Sequence, residues 1–253
     1  MTDDALFPLE LVHPDLHDAG PRLIAPGAVH IPGWLTAEQQ RWIVARFGEW
    51  TRGPVPLRAA TLPGGHKMSV RTVCLGWHWQ PYKYTREATD VNGQPVLDFP
   101  EWMVRLGQKA IQAATGVDGG NDSSLSVTAG DYTPDAALVN FYDDGAAMGM
   151  HQDKDEHSNA PVVSLSIGES CIFRFGNTKT RTKPYTDVQL GSGDLFVFGG
   201  PSRFAYHGIP KVLQGTAPED CGLSRGRINI TMRVTGLGEP KQTERKAGAK
   251  ELP

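Results

Sequence analysis

Apolar residues follow two different periods along the chain. From Thr36 they recur at helical intervals: Trp42, Ile43, Phe47 and Trp50 share one face. Thr36 and Gln39 have capping-box spacing, in which each side chain satisfies the other's backbone N–H. A second helix is predicted from Pro100 to about Thr115, with Trp102, Met103, Leu106, Ala110, Ile111 and Ala114 in one stripe and Gly116 as its expected stop. From about Ala137 the pattern changes to short segments bounded by turn residues such as Gly191-Ser192-Gly193-Asp194. Strands are predicted at 137–142, 147–151, 161–167, 170–175, 185–190, 194–198, 203–207 and 226–235. Such closely spaced strands point to a sandwich or jelly roll. Between the helices, from Leu62 to Tyr84, aromatic residues alternate with Gly64, Gly65 and the basic Lys67, Arg71 and Lys83, with Arg86 just beyond, which suggests a hairpin-like excursion. The first 30 or so residues show scattered prolines and no period, and read as an irregular arm. The charged tail after Gly236 reads as mobile.

Composition narrows the class. In 253 residues, 29 glycines and 19 prolines supply the turns that many short strands need, while 39% apolar and 21% charged residues make an ordinary globular mix. No apolar run approaches the roughly 18–20 residues of a membrane span, and no basic-then-apolar leader follows the acidic start Met1-Thr2-Asp3-Asp4. Cys74, Cys171 and Cys221 lie far apart and form no CxxC pair, so neither a disulfide framework nor a thiolate zinc site is indicated. A reducing cytoplasm is expected. A net charge of -3 argues against a protein that coats nucleic acid, though not against a local basic grip.

The candidate chemistry starts at His151-Gln152-Asp153. On an extended strand, side chains at i and i+2 point the same way. A third ligand from a distant strand would complete two His and one carboxylate, a facial set that leaves positions open on a non-haem Fe(II). His13-Pro14-Asp15 has the same spacing but sits in the arm, with no strand pattern around it. For the third ligand, His66, His78, His157 and His207 are available, and His207, at the end of a predicted strand, is preferred. In the 226–235 strand, Arg227, Asn229, Thr231 and Arg233 alternate with Ile228, Ile230 and Met232. A polar face of this kind is common on outer strands, but it also suits a barrel interior that holds a dicarboxylate through charge-assisted hydrogen bonds. Asn140 and Tyr142 share a face on the strand ahead of His151 and could serve the same anion.

Together these motifs resemble the AlkB family of Fe(II)/2-oxoglutarate-dependent dioxygenases. The resemblance is carried by Val139-Asn140-Phe141-Tyr142, by His151 to Glu156 (HQDKDE), by Ser202-Arg203 with His207-Gly208, and by Arg227 to Arg233 (RINITMR). Pro63-Gly64-Gly65, Met68-Ser69 and Leu75-Gly76-Trp77 extend it to roughly residues 22–236. It implies a mainly β (α+β) double-stranded β-helix, or jelly roll, with an N-terminal helical and lid extension. The whole chain would be a single catalytic domain: an arm at 1–21, helices and a nucleotide-recognition lid at 22–136, the jelly-roll core at 137–236 and a tail at 237–253. His151, Asp153 and His207 would hold iron. Arg227, helped by Tyr142, would pair with the distal carboxylate of 2-oxoglutarate, while Asn140, Asn229 and Arg233 would steady its chelating end. Trp77, its aromatic neighbours such as Tyr84, and Met68 would shape a lid over a flipped base, with His66 beside them and Asp155 at the base edge. The implied reaction is oxidative demethylation of N-alkylated bases in single- or double-stranded DNA, or in RNA. It consumes O2 and 2-oxoglutarate and releases formaldehyde and succinate. A monomer with no obligate protein partner is expected. A hydroxylase of protein side chains or small molecules is the competing reading, and a non-catalytic jelly-roll binding module a third. His66 stands where the bacterial enzyme has tyrosine, and the loop from Asn177 to Tyr185 departs in length and detail.

Overall fold

The computed structural model describes residues 20–120 and 123–238, so the His13-Pro14-Asp15 spacing and most of the arm and tail lie outside the described residues. Strands β1 (Arg22–Ala25) and β2 (Ala28–Ile31) precede helix α1 (Ala37–Trp50). Next come β3 (Arg58–Thr61), β4 (Lys67–Leu75), the short β5 (His78–Gln80) and β6 (Lys83–Thr85), then helix α2 (Glu101–Val117). The remaining strands are β7 (Ala136–Tyr142), β8 (Met148–His151), β9 (Val162–Gly168), β10 (Ser170–Phe175), β11 (Thr186–Leu190), β12 (Leu195–Phe198), β13 (His207–Leu213) and β14 (Arg227–Arg233). An eight-stranded sheet runs β1-β2-β12-β9-β14-β7-β4-β3, and a four-stranded sheet runs β11-β10-β13-β8. Strands β5 and β6 form a separate hairpin. This is the expected jelly roll.

The capping box forms as the sequence predicts: Thr36 Oγ1 accepts from Gln39 N (3.2 Å) and Gln39 Oε1 from Thr36 N (2.9 Å). The apolar stripes of both helices cover one face of the large sheet, packing on Val139 of β7, Leu165 of β9 and Ile228, Ile230 and Met232 of β14. Trp102 joins the helices, edge-on to Trp42 (4.8 Å between centroids) and stacked on Trp50 (6.3 Å). The alternate residues of the same strands point to the other side, toward the small sheet. There Phe173 and Phe175 of β10 meet Phe196 and Phe198 of β12 at centroid distances of 4.8, 5.2 and 5.7 Å. Period two therefore gives the large sheet one dry face under the helices and one mixed face that can be equipped with polar groups.

Several expectations are corrected. The irregular arm does not extend to residue 30, because β1 and β2 pair there and attach to β12. The 22–136 segment holds six strands besides its helices, and β1 to β4 complete the large sheet. Gly116 does not stop α2, which runs to Val117 and ends at Asp118, whose N–H still reaches Ala114 O. The predicted strand at 203–207 is absent. Gly200 and Pro201 open a 3-10 turn, with Ser202 N and Arg203 N bonded to Gly199 O and Gly200 O, and His207 opens β13 instead of closing a strand. Gly208 and Pro210, ordinarily strand breakers, are accommodated because the β10–β13 register slips between Ile172 and Arg174, the place where a missing N–H is tolerated. All three cysteines are free and buried. No described helix is long and apolar enough to cross a membrane.

Candidate active site

The proposed ligands converge between the two sheets. His151 ends β8 and stands opposite His207, the first residue of β13, in the antiparallel register. Asp153, two residues beyond His151, completes the group: its Oδ1 lies 3.6 Å from His151 Nε2 and its Oδ2 3.7 Å from His207 Nε2. The three ligand atoms fall within 4.8 Å of one another. His151 Nδ1 donates to Gly149 O (3.0 Å) and His207 Nδ1 to Ala205 O (2.9 Å). A carbonyl can only accept, so each ring carries its proton on Nδ1 and presents the Nε2 lone pair inward, as a metal requires. Burial, and then the neighbouring His151, hold His207 down to about 4, so it is neutral at pH 7. Burial alone would raise the Asp153 carboxyl, but Arg233, then His207 and His151, outweigh it and keep it well below the usual carboxylate range. Asp153 Oδ2 is 2.9 Å from Arg233 Nη2, yet it is buried without a hydrogen bond of proper geometry. A buried carboxylate oxygen that has an ion pair but no hydrogen bond, beside two inward-facing imidazole nitrogens, fits a divalent cation, and this nitrogen-and-carboxylate set suits Fe(II).

The inner face of β14 carries the second half of the site. The register aligns Thr72 of β4, Asn140 of β7, Asn229 of β14 and Ser166 of β9 in one row. Thr72 donates to Asn140 Oδ1 (2.7 Å), and Asn229 Nδ2 donates to Ser164 Oγ (2.8 Å) and Leu165 O (3.1 Å). Arg227 lies beside Tyr142, its guanidinium 5.1 Å from the ring centre, and Nη2 donates to Ser166 Oγ (2.9 Å). Its Nε and Nη1 are buried with no partner. Two unmet donors on a buried cation call for an anion, and the chelating dicarboxylate 2-oxoglutarate fits both this guanidinium and the metal triad. Burial pushes the Tyr142 hydroxyl up to about 12, so it remains a phenol able to donate.

Arg233 has a different position from its strand-mates. It joins a buried ionic cluster that includes Tyr84, Glu156 and Arg203. Arg233 Nη1 is 2.9 Å from Tyr84 Oη and 3.4 Å from Glu156 Oε1, while Tyr84 Oη donates to Glu156 Oε1 (2.6 Å). Arg203 pairs with Glu156 Oε2 (3.0 Å) and donates to Asp153 O (2.6 Å) and Ala160 O (2.7 Å). Two cations therefore brace Asp153, one at its carboxylate and one at its backbone. No sequence signal marks a role for Glu156 or Arg203: both lie inside the motifs that carry the family resemblance, but their partnership spans 47 residues and has no periodic signature.

A cavity of about 500 Å³ joins the metal triad, Asn140, Tyr142 and Arg227 to a rim that includes Met68, Tyr82, Lys154, Asp155 and Arg181. Of the expected base-contacting residues, Met68 and Asp155 line it. Trp77 does not. Its indole N–H donates to Asp135 Oδ2 (3.0 Å) and the Arg86 guanidinium covers its ring at 3.5 Å, so Trp79 occupies the wall instead. The cause is Gly76, at φ +76°, where any Cβ would come within 2.0 Å of Asp135 O. That kink turns the chain between β4 and β5 and leaves Trp77 in the turn, outside both strands, whereas Trp79 belongs to β5. Tyr84 is buried in the ionic cluster and does not line the cavity, and His66 is exposed in the turn before β4. Of the other histidines weighed as ligands, His78 is buried against Asp90 (2.6 Å) and Arg58 (3.0 Å), and His157 lies outside the metal group.

Residues 27–233 match the family model of the 2OG-Fe(II) oxygenase superfamily. The AlkB homolog of Caulobacter vibrioides is 45% identical over 221 residues, covering 85% of this chain and 90% of that protein. Escherichia coli AlkB, an alpha-ketoglutarate-dependent dioxygenase, is 39% identical over 192 residues, covering 73% of this chain and 80% of that one. The Arabidopsis thaliana DNA N(6)-methyladenine demethylase ALKBH1D is 32% identical over 225 residues, 84% of this chain, and the match spans only 50% of the plant protein's length. The solved structure of OsALKBH1 superposes with a TM-score of 0.73 at 31% identity, covering 84% of this chain and 99% of that one. The chain belongs to the AlkB family of 2OG-Fe(II) oxygenases, enzymes that depend on Fe(II) and 2-oxoglutarate.

Proposed function

We propose that this enzyme removes alkyl groups oxidatively from bases of DNA or RNA, acting as a single catalytic domain and a monomer in the cytoplasm. The observation that carries the reading is the single cavity with two ends: a metal triad and an orphaned guanidinium deep inside, and an aromatic and basic rim outside. The names of the relatives, a DNA demethylase and a tRNA demethylase among them, support it. His151, Asp153 and His207 would hold Fe(II). Arg227 and Tyr142 would take the distal carboxylate of 2-oxoglutarate, and Asn140 and Asn229 would steady its other end. Bound there, the pair supplies the oxidation: O2 and 2-oxoglutarate become succinate and CO2 while an N-alkyl carbon gains a hydroxyl. The hydroxymethyl group then leaves as formaldehyde when its C–N bond breaks, and the electron pair returns to the base nitrogen.

The chain's own residues arrange the rest. Arg233 and Arg203 fix Asp153, so the ligand does not swing between metal and solvent. The phenylalanines between the sheets keep water from the deep end. A base must leave its stack to reach the triad, which costs up to a few kcal/mol and costs least for a lesion that already weakens pairing. Lys67, Lys83, Lys154, Lys179, Arg181 and Lys183 are exposed and available to phosphates. Arg71 and Arg86, also basic near the lid, are engaged with Asp143 (3.2 Å) and Gly76 O (2.6 Å). Incubation with Fe(II), 2-oxoglutarate and a 1-methyladenine oligonucleotide should release formaldehyde and the unmethylated base. Succinate formation without any demethylated product would remove the nucleic-acid substrate from the reading.

A further inference from the structure

Among the described residues, Met68, Met148 and Met150 are the methionines that line the cavity. Of these, Met148 is the one whose sulfur takes a hydrogen bond: the Tyr142 hydroxyl donates to its Sδ at 3.8 Å. Met148 opens β8 and stands opposite Ile209 of β13, on the outer edge of the small sheet. Its side chain is half-buried, and the cavity that it lines reaches the exposed Tyr82 and Arg181. Tyr142, by contrast, is fully buried and remains a phenol at neutral pH. The Arg227 guanidinium lies beside its ring with two buried donors unmet. A thioether is a weak acceptor. It engages the Tyr142 O–H loosely, so an anion that answers the Arg227 donors can claim that proton as well.

Resting on the reading that Arg227 and Tyr142 take the distal carboxylate of 2-oxoglutarate, we propose that Met148 is a site of oxidative modification whose sulfoxide weakens 2-oxoglutarate binding. The oxidant is a peroxide. A lone pair of the sulfur attacks one peroxide oxygen, and the S–O bond forms as the O–O bond breaks. Hydrogen peroxide is reduced to water, and the sulfur gives up two electrons. The product places a polar S–O oxygen, a far better acceptor than the thioether, beside the Tyr142 hydroxyl. The phenol has one proton to donate. Given to the sulfoxide it is withheld from the carboxylate, so the co-substrate has to displace a stronger partner than before. Met68 and Met150 have no such link, and their oxidation adds polarity to the wall without taking a donor from the co-substrate.

The test uses the full chain. Metal-free protein is treated with hydrogen peroxide, the peroxide is removed, and Mn(II) is added in place of Fe(II). Peptide mass mapping then locates the added oxygen, and calorimetry measures 2-oxoglutarate affinity. Met148 should gain one oxygen atom, and the Kd for 2-oxoglutarate should rise about fivefold, the scale of one neutral hydrogen bond. Met148→Leu should lose this response even where Met68 and Met150 are oxidised. Tyr142→Phe should bind 2-oxoglutarate more weakly from the start and show no further loss when Met148 is oxidised. A Met148 that peroxide leaves unmodified, an unchanged Kd after its oxidation, or an equal rise in Met148→Leu would overturn the proposal while the co-substrate reading stands. If untreated Tyr142→Phe binds 2-oxoglutarate as tightly as the wild type, the role of Tyr142 in that reading falls and this inference with it.

Discussion

Replacing Arg227 with methionine should make the empty enzyme no less stable and nearly unable to hold 2-oxoglutarate. Arg227 is 1% exposed, donates once to Ser166 Oγ (2.9 Å), and sits 5.1 Å from the Tyr142 ring centre. Methionine, a flexible apolar side chain, gives up that hydrogen bond, worth about 1 kcal/mol, and a cation–π contact of about 1 kcal/mol. It also removes two buried donors that have no partner, whose desolvation costs about 1–3 kcal/mol each. The two sides nearly cancel, or favour the variant by a few kcal/mol. With the dicarboxylate present the balance changes, because the desolvated charge pair is lost, at a cost of about 3 kcal/mol. At 1.4 kcal/mol per tenfold, that is a Kd for 2-oxoglutarate roughly 150-fold weaker. Thermal melting with and without 2-oxoglutarate reads the first effect, and anaerobic calorimetry on the Fe(II)-loaded protein reads the second. A variant destabilised by more than about 2 kcal/mol without ligand, or one that binds 2-oxoglutarate like the wild type, would refute the orphaned-donor reasoning.

Three further outcomes follow from the same geometry. Glu156→Gln leaves Arg203 and Arg233 facing each other without their shared counter-charge, so denaturant titration should show a loss of about 3–5 kcal/mol, and a loss under 1 kcal/mol would count against the cluster. His207 is held at about 4, below the ordinary 6.5, so the unfolded chain binds the extra proton between these values and metal-free stability should fall as pH drops through that window. His207→Gln should flatten that acid limb, and an unaltered slope would assign it to another group. Trp77→Phe should cost about 1–2 kcal/mol of stability through the lost bond to Asp135 and leave oligonucleotide affinity unchanged, whereas a selective loss of affinity would return Trp77 to the base site.

The parts of this molecule that were legible in its sequence are those in which a periodic strand carries its chemistry on one face. Arg227, Asn229, Thr231 and Arg233 alternate with core residues, and the inward face followed directly. His151 and Asp153 were legible as a pair because their spacing of two survives at the end of β8. Legibility failed where a turn takes a residue out of the strand pattern, as the turn at Gly76 does for Trp77. It also failed where a strand contains residues that usually end one, as β13 does with Gly208 and Pro210. Glu156 and Arg203 were overlooked for another reason: they act through a partnership 47 residues long, and no local pattern records that distance.

The placement of the metal triad also bears on how the protein keeps its shape. Strand β8 is four residues long and forms the outer edge of the small sheet, paired only with β13. His151 closes that strand, while Arg227 stands on β14 in the interior of the opposite sheet. A metal held by His151 of β8, Asp153 and His207 of β13, and joined through 2-oxoglutarate to Arg227 of β14, would act as a rivet across a seam otherwise closed by side-chain packing. Iron supply would then govern the lifetime of the fold as well as the turnover of the enzyme: a chain starved of metal should open first at β8, which carries a proposed ligand and has a single neighbour in its sheet.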